Sequence, residues 1–254
     1  MKKTTLWLLL ASLVPTVVMA WNTPGDDFSG ELKLVGTVTS TRNPWVWKSG
    51  DGNENLEVKL SNVVHNRMQG IPVSLPAMTI LQGKTIFNTS TGREGLSPRI
   101  NFGKGNGDFS IIWTEPGFAE VSVPVTEENN AHAGTFFFRM QAVGVLRHEQ
   151  NGQPIYVNMY DDLSANGLPG ENRVMKSSDI PGTLQRIFSG EGPSWLQAIT
   201  VSATAGVSSF SNPTLRQIEG VYGAQTVAGS GELRLNGTIP KRWHASLPVS
   251  IEYH

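Results

Sequence analysis

Histidine and acidic side chains are the groups in this sequence that could hold a metal ion or move a proton. The acidic pairs at 127–128 and 161–162 lack the ligand spacing of a calcium-binding loop. No HExxH pattern occurs, and no zinc-type spacing of two or four residues separates any two of the histidines His65, His132, His148, His244 and His254. We therefore expect neither a bound metal ion nor a cofactor.

Paired carboxylates would support glycoside hydrolysis if the fold held them within about 10 Å of each other. Glu115 and Glu120 are the candidates, but Glu120 alternates with Val121 and Val123 and is expected to face outward. The sequence also lacks a GxSxG nucleophile motif, a phosphate-binding loop and cysteine. We predict no catalytic residues, and a secreted β-sandwich hydrolase is kept only as an alternative.

Aromatic residues offer a different chemistry, because indole rings can stack on sugar rings. Trp45 and Trp47 lie on one face of an extended segment, where core packing is the favoured interpretation. Arg186, Phe188 and Trp195 occur close together in a later segment and could form a ligand surface for a host glycan. Packing of a helix on a sheet through Trp195 explains that residue equally well.

The first twenty residues have the pattern of a secretory signal peptide. Lys2 and Lys3 precede an apolar stretch at 6–18, and Ala20 provides a small residue at the cleavage position. We predict cleavage of residues 1–20 and export to the periplasm. The net charge of −1 and the charged fraction of 16% argue against a nucleic-acid partner.

Short alternating strands separated by turn residues predict an all-β sandwich for the rest of the chain. Gly and Pro are abundant, with 27 and 15 residues respectively, which suits many turns. The predicted strands lie at 56–60, 71–75, 99–102, 110–113, 120–125, 135–146, 153–160, 197–204, 231–239 and 243–253.

One segment, 161–195, departs from the strand pattern. Within 177–190 the apolar residues Ile180, Leu184, Ile187 and Phe188 recur with helical spacing. Asp179 is a candidate N-cap and Gly190 a candidate stop. The pattern at 194–199 fits a second short helix or the start of a strand.

Amphipathic strands are predicted at both ends of the mature chain. The stretch DFSGELKLVGTV, residues 27–38, places apolar residues and glycines on one face: Phe28, Gly30, Leu32, Leu34, Gly36 and Val38. At the other end Leu247, Val249, Ile251 and Tyr253 alternate with polar residues. A strand that follows the cleavage site directly can be offered to another molecule by β-augmentation.

Four stretches resemble subunits of chaperone–usher fimbriae, and specifically the Fae-type adhesive fimbriae of enterotoxigenic bacteria, which include the FaeG-like major adhesin and minor subunits. They are the Trp-initiated, glycine-containing start at 21–30, the WVWKSGDG stretch at 45–52, the LQRIF helix segment at 184–188 and the C-terminal strand at 247–253. The segment 161–195 matches the major adhesin poorly, which indicates a minor subunit.

The resemblance implies an incomplete immunoglobulin-like sandwich at 40–254 that lacks its last strand. The N-terminal extension 21–39 would be the donor strand for a neighbouring subunit, with the face of residues 27–38 filling the neighbour's groove. The strand 247–253 would form the groove edge that pairs with a periplasmic chaperone. An outer-membrane usher would then assemble subunits into a fimbria on the cell surface. A carbohydrate-binding adhesin subunit is the alternative within the same family.

Overall fold

The computed structural model describes residues 42–56, 58, 70–103, 108–128, 130–237 and 240–254. The predicted signal peptide and the donor strand at 27–38 lie outside these residues, so both stay predictions. Within the described residues the secondary structure consists mostly of strands, and the expected all-β sandwich is confirmed.

The strands are β1 (Trp45–Ser49), β2 (Ile71–Val73), β3 (Thr79–Thr85), β4 (Thr89–Thr91), β5 (Pro98–Phe102), β6 (Ser110–Glu115), β7 (Phe118–Thr126), β8 (His132–Gln150), β9 (Gln153–Tyr160), β10 (Val201–Gly206), β11 (Arg216–Thr226), β12 (Gly231–Leu235), β13 (His244–Ala245) and β14 (Val249–Tyr253). The helical elements are α1 (Ile180–Phe188) and 3-10 turns at Glu171–Arg173, Ser194–Ala198 and Val207–Ser211.

Strand β8 organises the large sheet because its nineteen residues pair along both edges. One edge pairs with β7 and then with β9, and the other pairs with β12 and then with β11. The sheet continues from β11 through β3 to β1, and from β12 to β2. Strands β6 and β13 follow each other along the outer edge of β7. The long strand therefore joins two parts of one sheet.

A second sheet contains β5 and β14, paired antiparallel from Val249 opposite Phe102 to Tyr253 opposite Pro98. Ile100 and Phe102 of β5 are buried in the same cluster as residues from β7, β8 and β11. The main core therefore lies between this small sheet and the large one, as in a sandwich.

Residues 171–198 contain α1 and two of the 3-10 turns, and we call them the helical segment. This segment covers the opposite face of the large sheet. Val143, Val145 and Val221 pack with Ile180 and Leu184 of α1 in a second buried cluster. Their neighbours in the sequence face the main core instead, because successive strand side chains point to opposite faces. Both faces of β8 and β11 are therefore buried in this part of the molecule.

The helix forms where the sequence predicted it, over a shorter range than 177–190. Asp179 occupies the N-cap position, although its side chain makes no capping hydrogen bond. Ser189 adopts the left-handed conformation at the C-cap, with φ of 47°, and Gly190 follows at φ of 90°. Two left-handed residues in succession end the helix.

Two predicted strands need correction. The strand predicted at 197–204 starts only at Val201, because residues 194–198 form a 3-10 turn. The single strand predicted at 243–253 is two strands, β13 and β14, in different sheets. Pro248 lies immediately before β14 and has no N–H for a sheet hydrogen bond, which explains the interruption.

Candidate functional site: an apolar groove beside the C-terminal strand

The described residues form a groove of about 1090 Å³. One wall is the segment 49–56 with Val58, which follows β1, and the other is the segment 240–247 with Val249, which leads into β14. The apolar side chains between the walls come from several strands and the loops beside them: Leu75, Met78, Ile80, Val123, Phe136, Phe138, Leu233 and Leu235.

Strand register explains why the groove floor is apolar. Val123 of β7 and Leu233 of β12 are both opposite Phe136 of β8, so the three side chains form a row across three strands. Phe138 follows two residues later on the same face, and its ring lies 5.7 Å from that of Phe136. The inward face of the sheet therefore presents a continuous aromatic and aliphatic surface.

The wall formed by 240–247 and Val249 contains two of the four residues that were predicted for the groove edge. Leu247 and Val249 line the groove and are half-buried, and the Trp243 ring lies 5.2 Å from the Phe136 ring. Ile251 is half-buried against the main core, and Tyr253 is 38% exposed. Strand β14 pairs with β5 along one edge, and no described strand pairs with its other edge.

Strands β1 and β14 are connected by a side-chain hydrogen bond. Trp47 Nε1 donates a hydrogen bond to Tyr253 Oη at 2.8 Å, which connects β1 to β14. The Trp47 ring stacks on Trp45 with centroids 5.0 Å apart and an interplanar angle of 12°. Trp45 is itself fixed, since its Nε1 donates to the Leu96 carbonyl oxygen at 3.1 Å. The stacked tryptophans are therefore packed in the main core, which agrees with the core-packing interpretation of this pair.

Removing the Tyr253 hydroxyl should weaken this connection between β1 and β14. We expect Tyr253→Phe to lower the free energy of unfolding by about 0.5–1.5 kcal/mol, the usual contribution of one hydrogen bond. Urea denaturation measures the change. Tyr160→Phe is the matched control, because no described group bonds the Tyr160 hydroxyl. An equal loss in both variants would contradict a stabilising role for the Trp47–Tyr253 hydrogen bond.

The residues predicted to form a ligand surface lie in three different environments. Phe188 is 3% exposed and belongs to the second core. Arg186 is exposed, with Nη2 at 3.4 Å from Gln141 Oε1 on β8. Trp195 is half-buried and donates to Glu219 Oε1 at 3.3 Å, beside the Tyr156 ring.

The arginine and the tryptophan contact different strands of the large sheet, β8 and β11. Gln141, beside Arg186, and Arg147, which contacts Glu219, are six positions apart on β8, which corresponds to roughly 20 Å along a strand. Arg147 Nη1 lies 2.5 Å from Glu219 Oε2, so the carboxylate that accepts from Trp195 is already paired with a cation. These contacts hold the helical segment on the sheet, and glycan binding at these residues stays a prediction.

The two candidate catalytic carboxylates occupy the exposed side of the β6–β7 hairpin. Glu115 Oε2 forms an ion pair with Arg139 Nη2 at 2.9 Å. Glu120 is exposed and lies opposite Arg139 in the β7–β8 register. In the part of the chain that the structure describes, no group of three or more acidic or histidine side chains could hold a metal ion. None of the described helices is long and apolar enough to cross a membrane.

Sequence reasoning missed the groove floor and the hydrogen bond between Trp47 and Tyr253. The apolar composition at 135–146 predicted a strand but did not show which residues would face a recess. The Trp47–Tyr253 bond joins residues 206 positions apart, and no local pattern indicates such a contact.

Comparison with known proteins identifies similar chains. A K88-type family described as "Fimbrial, major and minor subunit" matches residues 1–254. The chain is 67% identical over 253 residues to a protein of Escherichia coli named K88 minor fimbrial subunit FaeI, covering 100% of both chains.

Proposed function

The chain belongs to the K88 family of major and minor fimbrial subunits, and we propose that it joins a fimbria as a minor subunit by donor-strand exchange. The resemblance seen in the sequence is thereby confirmed. Members of this family are structural subunits of adhesive fimbriae that associate with other fimbrial subunits at the cell surface. The family role is structural rather than enzymatic.

The observation that carries the exchange mechanism is the apolar groove beside β14. A strand placed in this groove would pair with the edge of β14 that no described strand uses. Its side chains would pack against half-buried apolar side chains that line the groove, such as Met78, Ile80 and Leu247. Insertion would therefore satisfy backbone hydrogen bonds and bury apolar surface together, which a loop without alternation cannot do.

Residues 27–38 have the features that such a strand requires. Phe28, Leu32, Leu34 and Val38 supply four apolar side chains on one face, and Gly30 or Gly36 would face a shallow part of the groove. The opposite face carries Asp27, Glu31 and Lys33, which suits exposure to water. We propose that this face enters the groove of the neighbouring subunit.

Donor-strand exchange also requires that the groove be covered between export and assembly. A sandwich with an open apolar groove and an unpaired edge is prone to aggregate. We propose that a periplasmic chaperone covers the groove through β14 after the signal peptide is removed. An outer-membrane usher would then exchange the chaperone strand for the donor strand of the next subunit.

Two substitutions one residue apart test the donor strand. We expect Leu34→Asp to abolish the SDS-resistant complex with a neighbouring subunit in purified fimbriae, because it places a charge in the apolar groove. Val35→Asp makes a similar change on the opposite face and should leave the complex intact. Gel electrophoresis of unheated fimbriae distinguishes the two variants, and equal behaviour would contradict the assigned face.

A further inference from the structure

Exposed apolar side chains cluster where the described chain begins. Large hydrophobic residues with substantial exposure in the described ranges are few, and three of them lie close to this point. Val46 is 39% exposed, Ile86 is 62% exposed and Phe87 is 39% exposed. We name these three residues the exit patch. Large contiguous apolar patches on a protein surface mark interaction sites, whereas isolated exposed apolar residues are common.

The register of β1 and β3 places the patch residues together. Val46 is opposite Lys84, and Ile86 lies two residues beyond Lys84 on the same face. The Ile86 amide donates to the Pro44 carbonyl oxygen at 3.0 Å, which continues the pairing by one residue before the start of β1. Val46 and Ile86 are therefore diagonal neighbours whose side chains can cover one surface, and Phe87 follows in the turn.

The chain beside the patch is firmly held. Asn43 Nδ2 donates to the Gly95 carbonyl oxygen at 2.8 Å, and Asn43 Oδ1 accepts from the Trp45 amide at 3.0 Å. Arg93 Nη2 donates to the Arg42 carbonyl oxygen at 3.1 Å. Residues 42–44 are thus bonded on both sides and fix the point from which the N-terminal extension leaves.

The extension offers little length between this point and the proposed donor strand. Residues 39–41 alone connect Val38 to Arg42, and four residue steps span at most about 14 Å. If the donor strand acts as proposed above, this short connection places the subunit that accepts it directly beside the exit patch. We infer that Val46, Ile86 and Phe87 form a second contact with the acceptor subunit, outside its groove.

The chemistry of the patch identifies the surface that it would meet. The three side chains are apolar, so the acceptor must present apolar surface next to the mouth of its groove. The nearby cation Lys84 already donates to the Glu191 carbonyl oxygen on the helical segment. The contact would make the junction between subunits stiffer than a connection through a single strand.

Photo-crosslinking in assembled fimbriae tests the inference. A benzophenone amino acid replaces Phe87 in the full chain, and in a second variant it replaces Ile112, which is 59% exposed on β6. We expect a crosslink from position 87 to the fimbrial subunit that holds the donor strand in its SDS-resistant complex. The Ile112 variant should give no crosslink to that subunit, and the position 87 crosslink should be lost when Leu34→Asp is added.

The outcomes separate the inference from the proposed function. An intact SDS-resistant complex without a crosslink from position 87 overturns the contact and leaves donor-strand exchange standing. A crosslink only to another protein, such as a chaperone, also overturns it. Absence of any SDS-resistant complex overturns both, because the position of the acceptor was derived from the donor strand. A crosslink that persists with Leu34→Asp shows a contact independent of the donor strand and overturns the inference as stated.

Discussion

Moving residues 21–39 to the C-terminus, behind a short flexible linker, should raise the melting temperature of the mature chain by roughly 20 °C. The donor strand could then fill the groove of its own chain, beside β14. Burial of Phe28, Leu32, Leu34 and Val38 contributes about 1.5–3 kcal/mol for each side chain. In a domain of this size each kcal/mol raises the melting temperature by about 2–4 °C. Thermal unfolding followed by circular dichroism, together with size-exclusion chromatography, measures the effect.

The same rearrangement carrying Leu32→Asp provides the control. It has the same length and connection but places a carboxylate against the groove floor, so it should melt well below the rearranged parent. The unrearranged chain from Trp21 should aggregate or melt at low temperature. A stable monomeric parent that is weakened by the rearrangement would place residues 27–38 in the core of their own chain and contradict donor-strand exchange.

Strands with one exposed face could be predicted from the sequence, because their apolar and polar residues alternate. The range 153–160 was predicted with the bounds that β9 has in the structure. Strand β7 was also recognised, since Val121, Val123 and Val125 are buried while their neighbours are less so. A half-buried strand can therefore be recognised from the alternation of its own residues.

Strand β11 was not predicted, although it lies in the middle of the large sheet. Its residues from Gly220 to Thr226 are all buried, because the main core covers one face and the helical segment covers the other. Alternation disappears when both faces are buried. Two glycines, Gly220 and Gly223, further reduce its resemblance to a strand.

The glycines in β11 have a packing reason that only the fold reveals. A Cβ atom at Gly220 would lie 2.5 Å from the Phe210 ring and 2.8 Å from the Trp45 ring. At Gly223 it would lie 3.0 Å from Ile187 of α1. Each glycine accommodates a large side chain from a distant segment, which a single sequence does not disclose.

The groove depends on distant segments for a similar reason. Alternation in 247–253 is local and predicted an amphipathic strand, whose role as a groove edge stays a prediction. Its floor depends on the register that aligns Val123, Phe136 and Leu233, residues brought together from three separate strands. Long-range pairing of this kind is fixed by the whole core rather than by any window of the sequence.

Tyr222→Ala should lower the free energy of unfolding by about 3–5 kcal/mol, the usual cost of deleting a buried aromatic ring. Tyr222 is fully buried in β11 and its ring lies 5.9 Å from that of Trp47. Loss of the ring therefore removes a packing partner of Trp47 as well as core volume. Urea denaturation of the rearranged chain measures the loss. Phe87→Ala, at an exposed aromatic residue, is the control, and equal losses would contradict the buried role.

The hydroxyl of Tyr222 adds a pH dependence that Tyr222→Phe isolates. Its Oη donates to the Gly167 carbonyl oxygen at 2.7 Å, and burial raises the pKa of Tyr222 above its ordinary value. A raised folded-state pKa means that the neutral phenol's stabilisation is complete below the unfolded pKa of about 10 and is lost as the pH rises above it. We expect Tyr222→Phe to cost about 1–3 kcal/mol at pH 8, because the buried carbonyl loses its donor. The difference from the parent should shrink at pH 11, and a difference that stays constant between pH 8 and pH 11 would show that Tyr222 does not titrate on unfolding.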